Sequence, residues 1–227
     1  AYLALNDINE EDLNQTAIII QNQLGQKVLT FLGDVSEGDD VKNMAKTYFK
    51  QWRELDILVN NAGIGAATTD ILFLKEERFD RIMKINTRSI FLMCKYFGKY
   101  MKRRKVPEDQ LRGKIINMTS QVGLRGREKF AAYSASKGGV VRLTEVVAVE
   151  LGKYRISCNA IAPGLIHTPI YGSETKYEDL VSMGRDVALE YKKCGFPEDV
   201  SGVAFFLASD DSDWMTGQII GVDGGQL

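Results

Sequence analysis

Residues 114–137 have the sequence KIINMTSQVGLRGREKFAAYSASK, which joins a β-rich run to the beginning of an amphipathic helical run. This pattern predicts a strand over Lys114–Thr119 and a helix over Ala131–Lys153. Tyr133 and Lys137 lie four residues apart, and a helix brings such positions onto one face. Because a nearby ammonium favours the ionised form of a phenol, we expect Lys137 to lower the pKa of Tyr133 toward working pH. Tyr133 is therefore a candidate general acid/base.

The rest of the chain continues this alternation of short β-rich runs and longer amphipathic runs. Further strands are predicted at Tyr2–Asn6, Val28–Leu32, Leu55–Asn60, Ile156–Ile161 and Ile219–Val222. Further helices are predicted at Glu10–Leu24, Glu37–Arg53, Lys75–Lys105 and Glu198–Ala208. Such alternation is typical of βαβ units, so we predict an α/β fold with a mostly parallel sheet covered on both faces. Nothing between the elements resembles an interdomain linker, and residues 1–227 are predicted to form one domain.

Composition and charge exclude several classes of function. The chain has 227 residues and a formal net charge of −1, so no global field favours nucleic acid or an anionic membrane as a partner. It has no apolar run of membrane-spanning length. The basic run Lys102–Lys105 lies near a predicted helix end, where cations suit the helix dipole, and is interpreted as solvated. We therefore expect a small-molecule substrate, with no nucleic acid or membrane partner.

The cysteines and the single histidine argue against a metal site. Cys94, Cys158 and Cys194 are scattered, and none belongs to a C-x-x-C pattern. They are interpreted as reduced thiols, which favours a reducing, cytoplasmic location. His167 lies in an irregular, pocket-forming loop without a serine or cysteine partner at a recognisable spacing, so loop packing or a substrate contact is favoured over catalysis.

Polar and glycine-rich motifs follow most of the predicted strands. They are Asp7, Asp34-Val35, Asn60-Asn61-Ala62-Gly63, Ser120, Pro163-Gly164 with Thr168-Pro169, and Asp223-Gly224-Gly225. Asn86 lies within the long helical run after the third strand. In open α/β sheets, ligands bind outside the carboxyl ends of the strands. These motifs therefore predict a ligand site at one sheet edge.

In this order, and with Ser120 thirteen residues before Tyr133, the motifs resemble the short-chain dehydrogenase/reductase family in its single-domain branch. The resemblance covers essentially the whole chain. It implies a Rossmann-like, doubly wound NAD(P)-binding domain that interconverts a secondary alcohol and its ketone by hydride transfer. Taken alone, Ser120 fits a capping serine, Tyr133 a core tyrosine and Asn86 a buried helix asparagine. Their joint spacing favours the functional interpretation.

The same resemblance implies a role for each residue of the candidate catalytic group. Tyr133 is the general acid in ketone reduction and the base in alcohol oxidation. Lys137 lowers the pKa of Tyr133 and hydrogen-bonds the nicotinamide ribose. Ser120 positions the substrate oxygen and stabilises its developing charge. Asn86 holds a water that links Lys137 to solvent.

Cofactor contacts are also implied by the resemblance. The expected cofactor-binding residues are Asp7, Asp34, Val35, Asn60, Ala62, Gly63, Tyr133, Lys137, Pro163, Gly164, Ile166 and Thr168. The turn from Asn60 to Gly63 shapes the adenosine side of the pocket, and Asp34 contacts the adenine. Ile166 and Thr168 meet the nicotinamide amide. Asp7 binds the adenosine ribose hydroxyls and repels a 2′-phosphate, so NAD(H) is expected in preference to NADP(H).

The chain departs from the family pattern at its N-terminus. Family members begin with a strand, a glycine-rich turn and a helix, whereas this chain starts inside the strand that ends near Asp7. We expect a natural N-terminal segment of about 20–30 residues, the size of a βα unit, to precede it. Without this segment, two interior strand edges should lack partners. The alternative is a truncated, catalytically impaired homologue that acts through oligomerisation.

Substrate identity is left open at this stage. The expected pocket, formed by Gly65–Thr69, Val122–Arg127 and Leu165–Met183, fits a small secondary alcohol, a polyol or a β-oxoacyl thioester. NAD preference favours alcohol or polyol oxidation, with a 3-oxoacyl thioester reductase as the rival. Arg125 and Arg127 flank the pocket, and solvated loop charges are preferred over a contact with an anionic substrate.

Two further expectations concern a segment that could cover the pocket and the oligomeric state of the protein. The irregular stretch Pro163–Phe196, with helical potential over Tyr177–Lys193, fits either a substrate lid or a surface excursion. The family resemblance suggests a homo-oligomer, a tetramer or a dimer. One face would be built by Lys75–Lys105 and Ala131–Lys153, and another by the C-terminal strand near Asp223.

Overall fold

The computed structural model describes residues 2–65, 68–172, 174–182, 187–189 and 194–226, without the side chain of Leu24. Its six strands are β1 (Leu3–Asp7), β2 (Val28–Leu32), β3 (Ile57–Asn60), β4 (Gly113–Met118), β5 (Ile156–Pro163) and β6 (Ile219–Val222). Every ladder between these strands is parallel. The predicted α/β class is therefore confirmed, and each strand lies within a few residues of its predicted position.

Eight α-helices of the described chain connect these strands. They are α1 (Glu10–Leu24), α2 (Gly38–Gln51), α3 (Glu76–Met83), α4 (Ser89–Met101), α5 (Gln121–Leu124), α6 (Ala131–Gly152), α7 (Tyr177–Ser182) and α8 (Pro197–Ala208). Local chemistry explains the bounds of several of them. The Asn9 side chain accepts hydrogen bonds from the first turn of α1, and left-handed Gly25 ends that helix. The Asp199 carboxylate accepts the Phe196 N–H at the start of α8. Within the described chain, no helix combines the length and the apolar character that crossing a membrane requires.

The long helix predicted over Lys75–Lys105 is interrupted. A π-helical turn at Lys84–Arg88 separates α3 from α4. Single π-turns of this kind often mark functional sites, and this one contains Asn86. The prediction of α7 is confirmed only for Tyr177–Ser182, because residues 183–186 and 190–193 lie outside the described chain.

The strands form two separate ladders. β1 pairs with β2, whereas β3, β4, β5 and β6 form a four-stranded sheet in that order. Among the described residues no ladder joins β1 to β3, and Val59 of β3 is 49% exposed. In the described part of the chain, β1 and β3 are therefore each paired on one side only.

The main core lies between the four-stranded sheet and helices α2, α4 and α6. Its fully buried members include Val41, Met101, Val140 and Cys158. Register places Asn60 beside Asn117 and Met118 beside Ile161. The loops that follow β3, β4 and β5 consequently leave the sheet at the same edge.

Candidate active site

A cavity of about 890 Å³ opens at this edge of the sheet. Eight of the predicted site residues line it. They are Gly63, Ser120, Tyr133, Lys137, Pro163, Gly164, Ile166 and Thr168. The structure thus brings together residues that are up to 105 positions apart in the sequence (Gly63 to Thr168).

Helix α6 positions Tyr133 and Lys137 against the end of β4. Thr119 donates its hydroxyl to the Lys137 carbonyl at 2.7 Å, and Lys137 Nζ donates to the Met118 carbonyl at 2.8 Å. The ammonium lies 5.8 Å from the centre of the Tyr133 ring. Ser120 is hydrogen-bonded to Tyr133, and its hydroxyl also lies 3.4 Å from the Pro163 carbonyl. The three side chains therefore form one group at the cavity wall.

Burial dominates the electrostatics of this group. It raises the pKa of Tyr133 to about 12, with a smaller contribution from Tyr171, while the hydrogen bond with Ser120 lowers it. Burial also lowers the pKa of Lys137 to about 8, because the ammonium is taken out of water. The expectation that the pKa of Tyr133 is lowered is therefore wrong. A protonated phenol at neutral pH suits proton donation.

Asn86 is fully buried and does not line the cavity. Its amide accepts the Ile64 N–H at 2.8 Å and donates to the Ile64 carbonyl at 3.1 Å. The same amide donates to the Ser136 hydroxyl on α6. Gly63 lies between Asn86 and Lys137, since a Cβ there would be 3.2 Å from Asn86 Oδ1 and 3.6 Å from Lys137 Nζ. Asn86 thus fixes the loop after β3, and its role in a water relay stays a prediction.

Two predicted cofactor residues have their side chains in the interior. Asn60 donates to Asn117 Oδ1 at 2.8 Å, and Val35 belongs to the main core. Their side chains are therefore committed to the fold, which leaves only main-chain atoms for a cofactor contact. A residue at the end of a predicted strand is expected to lie at the edge of the sheet. That position alone does not tell whether its side chain points into the core or toward the site.

The remaining adenosine-side candidates lie on loops. Ala62 is exposed and does not line the cavity. Asp7 is exposed at the end of β1, where its carboxylate accepts the Asn9 N–H at 2.9 Å. The Asp34 carboxylate accepts the Ser36 N–H at 2.8 Å. Neither carboxylate lines the cavity, and their cofactor contacts stay predictions.

The main chain at Ile166 fits a carboxamide. In its parallel bridge with Gly195, the bonds run from the Gly195 N–H to Leu165 O and from the His167 N–H to Gly195 O. Among the described residues, the N–H and C=O of Ile166 itself form no hydrogen bond. Since a carboxamide needs one acceptor and one donor, this peptide and the Thr168 hydroxyl suit the amide of a nicotinamide.

Several cavity residues were not predicted from the sequence. They include Gln121, Pro197, Val200, Ser201, Ala204 and Gln226. Gln121 donates to the Gln226 carbonyl at 2.7 Å, which ties the C-terminal stretch to the residue after Ser120. No local pattern marks these positions, because only the folded topology brings α8 and the chain end to this edge.

His167 has the packing role that the sequence favoured. Its Nε2 lies 2.9 Å from the Thr175 carbonyl, and its ring packs edge-on against Tyr177 and Phe196. These contacts hold the loop between β5 and α7, from which Ile166 and Thr168 line the cavity.

Comparisons with known proteins identify the family of this chain and agree with its fold. A profile of the family described as enoyl-(acyl carrier protein) reductase matches residues 1–226. The 3-oxoacyl-[acyl-carrier-protein] reductase of Thermotoga maritima is 35% identical over 230 residues, covering 99% of this chain and 87% of that protein. The chain belongs to the short-chain dehydrogenase/reductase family. This short-chain dehydrogenase/reductase is an oxidoreductase that acts on CH–OH groups.

Solved structures share the whole architecture with this short-chain dehydrogenase/reductase. Levodione reductase superposes with a TM-score of 0.87 at 29% identity, covering 99% of this chain and 87% of that one. NAD+-bound xylitol dehydrogenase superposes with a TM-score of 0.85 at 27% identity, covering 98% and 88% respectively.

Gly123→Ala is expected to destabilise the protein and lower its activity. A Cβ at Gly123 would lie 2.6 Å from the Lys137 carbonyl carbon, so α5 must move away from α6 and carry Ser120 with it. Overpacking of this kind costs about 1–3 kcal/mol. Urea denaturation measures the loss, and Gly126→Ala is the matched control because no atom lies within 4 Å of a Cβ there. Equal stability of the two variants would contradict the close approach.

Proposed function

We propose that this protein is an NAD(P)-dependent oxidoreductase that interconverts a secondary alcohol, of hydroxyl or polyol type, and its ketone. The observation that carries the proposal is that Ser120, Tyr133 and Lys137 meet in one cavity with the main chain of Ile166, whose N–H and C=O form no hydrogen bond with the described residues. A nicotinamide bound there supplies or accepts the hydride. The protein's own part is to hold the substrate oxygen and to move a proton.

Proton transfer is assigned to Tyr133. In ketone reduction its phenol donates the proton to the carbonyl oxygen, and in alcohol oxidation its phenolate takes the hydroxyl proton. Ser120 donates a hydrogen bond to the same oxygen as negative charge develops there. Lys137 places a positive charge beside the phenol, which stabilises the phenolate left after donation.

A 3-oxoacyl thioester reductase is the second candidate. The observation that favours it is the 35% identity with the T. maritima 3-oxoacyl-[acyl-carrier-protein] reductase over nearly the whole chain. Assays with polyols, hydroxysteroids and 3-oxoacyl thioesters, each with NAD(H) and NADP(H), separate the candidates. Turnover of polyols alone supports the first, and turnover of thioesters alone supports the second. Absence of turnover and of NADH binding would favour a non-catalytic homologue.

NAD(H) is proposed as the preferred cofactor because Asp7 presents an exposed carboxylate at the end of β1. Asp7→Arg is expected to raise the ratio of kcat/KM with NADP to that with NAD by about 10- to 100-fold, since a repulsive charge becomes attractive. Initial rates with both cofactors measure the ratio, and Glu10→Arg, on the exposed first turn of α1, is the charge-matched control. A ratio that changes equally in both variants would remove Asp7 from the cofactor site.

We also propose a homo-oligomer in a reducing, cytoplasmic compartment. A shallow apolar groove runs between the α3–α4 segment and α6, and Phe91 and Val146 on it are 45% and 51% exposed. A second copy is the proposed occupant of this groove. Light scattering of the purified protein tests the assembly, and a monomeric mass would contradict it. The location is proposed because Cys94, Cys158 and Cys194 are buried cysteines that form no disulfide within the described chain.

A further inference from the structure

The charged residues that line the cavity in the described chain are all positive. Arg127 and Lys137 are its two cationic residues, and no aspartate or glutamate of the described chain lines it. Lys137 is 5% exposed, and its ammonium is bonded to the Met118 carbonyl beside Tyr133. Arg127 is half-buried, so its guanidinium is the more accessible positive charge of the cavity.

A tight turn holds Arg127 over the cavity wall. The Phe130 N–H donates to the Arg127 carbonyl at 3.1 Å, which closes a four-residue turn. Lys129, the third residue of that turn, has a φ of 64°, in the left-handed region that non-glycine residues seldom adopt. The Lys129 carbonyl also accepts the Thr69 N–H at 3.0 Å from the loop after β3. The turn is therefore fixed from both sides.

This turn places the guanidinium on an aromatic ring next to the catalytic tyrosine. The Arg127 guanidinium carbon lies 4.8 Å from the centre of the Phe130 ring. That ring in turn packs edge-to-face on Tyr133, with 6.4 Å between centroids. Stacking on a ring restricts the guanidinium while leaving its N–H donors for a ligand.

Arg127 and Arg125 differ in the structure although they are two residues apart. Arg125 is exposed and does not line the cavity. Among the described residues, Arg127 forms no ion pair with a carboxylate of the chain. The interpretation of both as solvated loop charges therefore holds for Arg125 but not for Arg127.

We propose that Arg127 binds an anionic group of the substrate. The preferred substrates are then hydroxy or keto compounds that carry a carboxylate, or the phosphates of a carrier, beyond the reacting carbon. The proposal rests on the proposed alcohol–ketone activity and narrows its substrate class. A guanidinium offers paired N–H donors that match carboxylate and phosphate oxygens.

Two matched substrate pairs test the proposal and separate the sources of the anion. The first pair is 3-oxobutanoate and its neutral methyl ester, and the second is 3-oxobutanoyl-CoA and its neutral N-acetylcysteamine thioester. Values of kcat/KM are compared among the wild type, Arg127→Ala, Arg127→Lys and the control Arg125→Ala. Preference for the acid in the first pair identifies a carboxylate contact, and preference for the CoA thioester in the second identifies a carrier phosphate.

In at least one pair, the wild type is expected to prefer the anionic member. Arg127→Ala should lower kcat/KM for that anion by about 10- to 100-fold, the range for losing a hydrogen bond to a charged group. The neutral partner should change less than about threefold, and Arg127→Lys should recover part of the loss because it keeps the charge. Arg125→Ala should match the wild type. Equal losses for both members of each pair, or a wild type that does not discriminate in either, would overturn the assignment.

A binding measurement separates this proposal from the proposed activity. Calorimetric titration of the ligand-free wild type and Arg127→Ala with 3-oxobutanoate and 3-oxobutanoyl-CoA needs no turnover. If no substrate is turned over but either anion binds the wild type more tightly than Arg127→Ala, the activity fails and the anion site stands. If neither anion distinguishes the two proteins, the anion site is refuted whatever the activity.

Discussion

Tyr133→Phe is expected to lower kcat for ketone reduction by about three orders of magnitude, within the range attributed to general acid–base catalysis. The substitution removes one hydroxyl and keeps the ring that packs against Phe130. Ser120 and Lys137 keep their places, because their main-chain partners are Pro163 and Met118. The loss therefore isolates the proton donor rather than the architecture of the site.

The rate of ketone reduction is measured in a single turnover at saturating NADH. A separate titration measures the affinity for NADH. NADH binding should weaken by no more than about tenfold, since Tyr133→Phe removes one neutral hydrogen-bonding group and no charge. Tyr171→Phe is the matched control, because Tyr171 lines the same cavity and is 41% exposed. It should retain activity within about tenfold. If both variants lose activity equally, or if Tyr133→Phe keeps more than a tenth of wild-type kcat, Tyr133 is not the acid.

The order of the elements could be predicted because each carries its own periodic signal. All six strands were found from short apolar runs, and α1 was predicted with its correct bounds, Glu10–Leu24. The end of β5 was missed by two residues, since Pro163 still lies in register with Val222. A proline usually ends a strand, and here the neighbouring strand extends the ladder.

The π-turn at Lys84–Arg88 could not be predicted from periodicity. The apolar residues continue through this segment at helical spacing, so the pattern gives no sign of a break. Residues of the π-turn form hydrogen bonds with residues that are distant in the sequence. Asn86 bonds both main-chain groups of Ile64, and Thr87 donates to the Ser136 carbonyl at 2.8 Å. Such bonds depend on how β3 and α6 are placed, which no local window contains.

Eight of the predicted site residues line the cavity, whereas the predicted electrostatics of Tyr133 differ from those in the structure. The spacing of Tyr133 and Lys137 correctly indicated one helical face, because that follows from helix geometry alone. Spacing carries no information on solvent exposure, and Lys137 is 5% exposed. The phenol of Tyr133 is buried as well, and this burial raises its pKa instead of leaving Lys137 to lower it.

The second large effect is expected when the buried charge of Lys137 is removed, because the protein should then gain stability and lose activity. Lys137→Met is expected to abolish most activity, by about 100-fold or more, because the charge beside the phenol is lost. The same change removes a buried ammonium whose pKa is lowered from 10.5 to about 8. At about 1.4 kcal/mol per pKa unit, that burial costs roughly 3 kcal/mol of folding free energy at neutral pH. Loss of the hydrogen bond from the charged ammonium to Met118 offsets about 2 kcal/mol, which leaves a net gain of about 1 kcal/mol.

The pH dependence of this gain distinguishes charge burial from better packing. Below pH 8 the lysine is protonated in both the folded and the unfolded chain, so the burial cost is fully present in the wild type. Between about pH 8 and 10.5 the folded chain releases the proton while the unfolded chain keeps it, and the wild type gains stability with rising pH. The stability advantage of Lys137→Met over the wild type should therefore be largest at pH 7 and disappear toward pH 10.

The control is Lys153→Met, at the exposed end of the same helix, which should change stability by less than about 0.5 kcal/mol at any pH. Urea denaturation at pH 7, 8.5 and 10 measures all three proteins, and an advantage that stays constant with pH would mean that packing, not the buried charge, is its source.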